Sequence, residues 1–167
     1  MLSQASKIER TLLALAAIGL LLAGCSTAPP GAPHVENSGS RNSAISEETA
    51  VTAAEIALDQ VGIPYRYGGA SRSGFDCSGL VHYAYASAGR RVPRTTGELW
   101  RSTQPLAERE LQAGDVLFFR IEGKMSHVGL YLGDGQFVHA PSTGKRVSLA
   151  TLDAEFYREA FIRGGRL

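Results

Sequence analysis

Apolar positions change their spacing several times along this chain, and each change marks a boundary. The first is a mostly apolar run from Thr11 to Ala23. Residues 26 to 45 follow, with Pro29, Pro30 and Pro33 among many Ser and Asn and almost nothing to bury, which reads as a flexible tether. At Ser46 a helix is predicted to begin, with Glu47 and Glu48 at the positive end of its dipole. Ala50, Ala53, Ala54, Ala57, Leu58 and Val61 then recur at helical spacing until Gly62 and Pro64 stop it. A loop carrying Gly68, Gly69 and Gly74 leads to a second helical run, with Leu80, Val81, Ala84, Tyr85 and Ala88 on one face. That run places Cys77 in a first helical turn. A short helix is expected over Thr96 to Arg101. Beyond it the period drops to strands: Asp115 to Phe119, then His127 to Leu132 and Gln136 to Ala140 joined at Gly133-Asp134-Gly135 as a hairpin. Short strands near Arg146 to Leu149 and Phe161-Ile162 complete the pattern. Helices first and an antiparallel sheet after predict an α+β fold.

The leading segment has its own logic. Lys7 and Arg10 precede an apolar run shorter than the roughly 20 residues that span a bilayer, so it reads as a signal peptide. It ends in Leu22-Ala23-Gly24-Cys25 and resembles a bacterial lipoprotein signal with its lipobox. The resemblance implies lipidation of Cys25 after cleavage before it, and two or more acyl chains would anchor the chain stably. Ser26 after the cysteine matches the pattern for sorting to the outer membrane. The expected organisation is therefore a signal peptide over 1–24, a lipidated cysteine and tether over 25–45, and one domain over 46–167. His34 falls in the tether and has no assigned role.

Charge narrows the partners. Taking Lys7, Arg10 and Glu9 from 17 basic and 16 acidic residues leaves 15 of each. With no basic stripe and no aromatic-interleaved Lys/Arg cluster, nucleic acid is not an expected partner.

Cys77 is the one cysteine beyond Cys25, an unpaired thiol in an exported domain. A helix amino terminus stabilises a thiolate and lowers its pKa from the usual value near 8.5, and the N–H groups there can face an oxyanion. A cysteine on a helix is also a common small buried hydrophobe. The hairpin adds two imidazoles. If Gly129 faces His139, then His127 lies one diagonal step away on the same face, opposite the face of Val128, Leu130 and Leu132. His127 could then take the thiol proton while His139 orients its ring. Two histidines and a cysteine could instead supply three zinc ligands, although no Cys-x-x-Cys or His-Glu-x-x-His pattern supports that.

The segments Phe75-Asp76-Cys77-Ser78-Gly79-Leu80-Val81, Gly114-Asp115-Val116-Leu117-Phe118-Phe119, His127-Val128-Gly129-Leu130-Tyr131-Leu132 and Phe137-Val138-His139-Ala140 together resemble the NlpC-type peptidoglycan endopeptidases. The resemblance covers residues 50–165. It implies a papain-like α+β fold with the nucleophile at a helix start packed on an antiparallel sheet. It implies Cys77 as nucleophile, His127 as general base, His139 as the orienting third residue and Tyr65 as an oxyanion donor, with no cofactor. Asp76, Ser78, Arg94 and Thr95 match elements that line the groove and meet the stem peptide. For Asp76 a helix N-cap is an equal reading. The implied partner is peptidoglycan, cut between D-glutamate and diaminopimelate or between D-alanine and diaminopimelate. Acyl transfer by the same residues and a non-catalytic binding lipoprotein are the alternatives.

Overall fold

A computed structural model describes residues 38–167; the leader, Cys25 and most of the expected tether lie outside them. Helix α1 runs over Ser38–Leu58 and so begins upstream of the expected Ser46. After Pro33 only Gly39 opposes helix there, at about 1 kcal/mol, and the polar residues that read as tether can continue an existing helix. No helix among the described residues is long and apolar enough to cross a membrane.

The chain then forms a two-residue ribbon, β1 (Ala70–Ser71) against β2 (Gly74–Phe75), which delivers it to α2 (Cys77–Ser87) and then α3 (Thr96–Ser102). The remaining strands are β3 (Gln104–Leu106), β4 (Val116–Ile121), β5 (Lys124–Gly133), β6 (Gln136–His139) and β7 (Ser148–Thr151). A short α4 (Glu155–Ala160) and β8 (Phe161–Arg166) complete the order. Six strands make one antiparallel sheet in the order β3-β8-β4-β5-β6-β7. The expected α+β class is the observed one. The strand β3 was not expected; it is a three-residue edge strand containing Pro105, which an edge tolerates.

Packing follows from alternation along the strands. Val116, Phe118, Val128, Leu130 and Val138 turn to one face, where Leu80, Val81, Ala84 and Tyr85 of α2 and Ala53 and Ala57 of α1 cover them. Small residues on α1 let that helix approach closely. Leu117, Phe119 and Phe137 turn to the other face, covered by Leu152, Ala160 and Tyr157. Strands β4 and β5 are thus buried on both faces, so the histidine face is not the open face that simple alternation implies.

Candidate active site

The start of α2 is fixed by one carboxylate. Asp76 has extended backbone angles and accepts from the Gly79 N–H at 2.6 Å, a helix N-cap. Its oxygens also accept from the Gly68 N–H at 3.0 Å and from Arg94 Nη1 and Nη2 at 2.9 and 2.7 Å. Arg94 reaches further, donating to Ser78 Oγ at 3.1 Å and the Gly69 carbonyl at 3.2 Å. This cluster ties the glycine loop to the helix that carries Cys77. Gly79 is the pivot: a methyl group there would collide with the Gly69 carbonyl oxygen. Three of the residues expected to line the groove, Asp76, Ser78 and Arg94, therefore have internal partners. The fourth, Thr95, caps α3 in a reciprocal capping box with Glu98.

The cap leaves Cys77 facing the beginning of β5. Its sulfur lies 3.8 Å from the Ser126 carbonyl oxygen and 4.0 Å from Thr96 Oγ1, and the Val128 N–H points at it. The thiol thus sits against the strand on both sides of His127. Burial pushes the thiol pKa up; the Val128 N–H opposes that, the Asp76 charge adds to it, and Thr96 and the Ser78 N–H oppose it in smaller degree. The net shift is upward. The lowering expected from the helix start alone is a correction to the sequence reading: desolvation outweighs the donors.

Two imidazoles meet between β5 and β6. The register pairs Leu130 with Val138 and Tyr131 with Phe137, which continues to Gly129 opposite His139, as expected. The turn itself is tighter than read: Asp134 and Gly135 both have positive φ, 49° and 73°, a two-residue hairpin turn preceded by a bulge between Tyr131 and Gly133. His127 Nε2 and His139 Nδ1 are 2.8 Å apart, with the rings nearly perpendicular. Both rings are buried among Phe119, Phe137 and Tyr157. Burial lowers the pKa of His127 to about 4; for His139 burial comes first, with His127 and Lys145 adding, and lowers it to about 3. At neutral pH both rings are uncharged. Since His127 Nε2 is engaged by His139, Nδ1 is its remaining ring nitrogen. The two rings bond each other, and no metal-holding cluster of His, Cys, Asp or Glu occurs among the described residues.

Tyr65 enters from the segment before the ribbon. Its N–H donates to the Lys145 carbonyl at 2.9 Å, it bridges to Phe75, and its ring packs on the main core. Burial raises the hydroxyl pKa and the negative charges of Cys77 and Asp76 raise it further, which places the phenol in the electrostatic field of the thiol. Among the described residues the hydroxyl has no hydrogen-bond partner. His82 is satisfied by the Val92 carbonyl at 2.8 Å, and Trp100 is packed between Phe118 and the Arg163 guanidinium; both roles are structural. The Val128 N–H at the sulfur and Tyr157 at His139 were not picked out as site residues in the sequence. Tyr157 has no motif around it that would single it out. Concavities of about 550 Å³ beside Arg166 and about 620 Å³ beside Tyr131 contain none of these side chains.

The sequence model of the NlpC/P60 family matches residues 62–166. The murein DD-endopeptidase MepH of Escherichia coli (strain K12) is 40% identical over 116 residues, 66% of this chain and 43% of that protein. A gamma-D-glutamyl-L-lysine dipeptidyl-peptidase of Bacillus subtilis (strain 168) is 38% identical over 102 residues, 59% of this chain and 34% of that protein. The chain therefore spans less than half the length of these relatives. A solved structure similar to a lipoprotein of the NLP/P60 family, from Staphylococcus aureus subsp. aureus Mu50, superposes with a TM-score of 0.64 at 34% identity. It covers 72% of this chain and 41% of that one.

Proposed function

We propose that this chain, which belongs to the NlpC/P60 family, is a cell-wall cysteine endopeptidase that hydrolyses amide bonds in the stem peptides or cross-links of peptidoglycan. The observation that carries the reading is the placement of the Cys77 sulfur against β5 on either side of His127, whose far nitrogen is held by His139.

In the proposed reaction a neutral thiol and a neutral imidazole form the resting pair. Cys77 Sγ attacks the amide carbonyl carbon as its proton passes to His127 Nδ1. The tetrahedral oxyanion is held by the Tyr65 hydroxyl and the Cys77 backbone N–H at the head of α2. Collapse breaks the C–N bond, and the amine leaves with the proton from His127. Water then gives a proton to His127 and attacks the thioester, releasing the carboxylate and restoring the thiol. His139 keeps the ring of His127 aligned through the cycle. No cofactor enters these steps. Asp76, Ser78 and Arg94 serve the reaction by holding the helix start and the glycine loop, and Thr95 by seating α3.

The wider organisation belongs to the same proposal. Residues 1–24 are removed as a signal peptide, Cys25 carries the lipid, and the following segment lets the domain reach the wall from the outer membrane on its periplasmic side. The scissile bond joins D-glutamate or D-alanine to diaminopimelate.

The test is mass spectrometry of cross-linked and uncross-linked muropeptides after incubation with the full chain, beside Cys77→Ala. Cleavage dependent on the thiol is expected, and the fragment masses name the bond. Intact muropeptides, or equal cleavage by Cys77→Ala, would refute the reading.

A further inference from the structure

We propose that Tyr157 is a positioning residue that selects the tautomer of His139 and, through it, the tautomer of His127; this rests on the reading of His127 as the base. The observation is a line of three side chains on three elements. His127 Nε2 meets His139 Nδ1 at 2.8 Å, and His139 Nε2 meets Tyr157 Oη at 3.3 Å.

Two neutral imidazoles carry one ring proton each, so the line has two self-consistent proton arrangements. In the first, His127 Nε2–H donates to His139 Nδ1, His139 Nε2–H donates to the Tyr157 oxygen, and His127 Nδ1 keeps a bare lone pair. In the second, the Tyr157 hydroxyl donates to His139 Nε2, and His139 Nδ1–H donates to His127 Nε2. His127 then holds its proton on Nδ1, where it cannot accept one from a thiol. The productive arrangement needs an acceptor at His139 Nε2. Among the described residues the Tyr157 oxygen is the polar atom in that place.

The surroundings make this oxygen hard to replace. His139 is only 2% exposed, so water does not readily stand in for the phenol. Tyr157 is half-buried, and among the described residues its hydroxyl has no partner besides His139, so its oxygen is left able to accept. Its ring is seated edge-on against Phe119 and Phe137, at centroid distances of 5.6 and 5.0 Å, and at 88° to the His139 ring. Burial raises the phenol pKa, so the group remains a hydroxyl at neutral pH. Without the oxygen, the first arrangement buries an orphaned N–H while the second buries only a lone pair. Orphaned donors are the rarer and costlier of the two. Loss of the hydroxyl therefore moves the pair toward the unproductive arrangement. The same oxygen would also support the charge that His127 acquires during the reaction.

The test uses Tyr157→Phe, which keeps the ring and its packing, in the full chain. Imidazole ¹⁵N NMR at neutral pH should find His127 protonated on Nε2 in the parent protein and shifted toward Nδ1 in the variant. Muropeptide cleavage should lose about ten-fold in kcat with KM within two-fold, the equivalent of one net hydrogen bond. In a His139→Gln background, where an amide oxygen can face His127 in any protonation state, adding Tyr157→Phe should cost less than two-fold. An unchanged His127 tautomer, or the same ten-fold loss in the His139→Gln background, would overturn the proposal. The NMR readout needs no turnover, so a chain that cleaves no muropeptide would refute the endopeptidase reading and still decide this one.

Discussion

Removing the Asp76 carboxylate should unsettle the whole head of α2, and the size of the effect can be worked from its contacts. Asp76→Ala deletes the cap on Gly79, worth about 1 kcal/mol. It also leaves Arg94 without its bidentate partner. The two side chains are 31% and 13% exposed, so the pair lies between a surface pair worth about 0–1 kcal/mol and a buried one costing about 3–5 kcal/mol to break. An intermediate figure of about 2 kcal/mol fits. The Gly68 N–H adds little, because it is exposed and water can replace the carboxylate. The expected total is about 3 kcal/mol, which for a domain of this size lowers Tm by about 12 °C. Asp76→Asn should keep the cap and lose only the charge, a fall of about 2 kcal/mol. Urea denaturation of Asp76→Ala, Arg94→Ala and the double variant should give a coupling energy of about 1–2 kcal/mol. A coupling under about 0.5 kcal/mol, or an Asp76→Asn fall as large as that of Asp76→Ala, would refute this account of the cluster.

Two further outcomes follow from the same geometry. Gly79→Ala lies inside a helix, where propensity alone would stabilise by about 1 kcal/mol, but the collision with the Gly69 carbonyl should reverse the sign to a loss of about 1–3 kcal/mol in thermal or urea unfolding. The buried neutral histidines set a pH dependence: their folded pKa values lie below the ordinary 6.5, so below that value the unfolded chain binds protons that the folded chain does not. Stability should be fully present above about pH 6.5 and decline as pH falls toward about 4, by about 1.4 kcal/mol per pH unit for each imidazole; denaturant titrations of the parent and of His139→Asn should differ by about one proton in that window.

Much of this was legible from local pattern. The Asp76 cap and the helix beginning at Cys77 depend on neighbouring residues, and the hairpin register follows from Asp134-Gly135 and the alternation around it. What escaped the sequence reading depends on distant contacts. Arg94 finds Asp76 across 18 positions, and Ser78 and Gly69 with it, so residues that read as facing a substrate have partners inside the protein. The thiol pKa turns on burial beneath β5, which no spacing in the sequence encodes. Tyr157 reaches His139 from a six-residue helix whose docking is set by Phe119 and Phe137. The early start of α1 was hidden because serine and asparagine read equally as tether or as helix flank.

The order of the sheet has a consequence for how the domain comes into being. Strand β8 follows every other element along the chain yet lies in the interior of the sheet, with β3 on one side and β4 on the other. Gly164 and Gly165 lie where a β-carbon would strike Leu111 or Thr103, so the gap requires glycine at these two positions. A chain emerging residue by residue from a ribosome cannot close this sheet until β8 is free. Such pairings of high sequence separation also close slowly. Synthesis therefore leaves the place between β3 and β4 open until β8 arrives, and closure of the sheet is deferred to that strand.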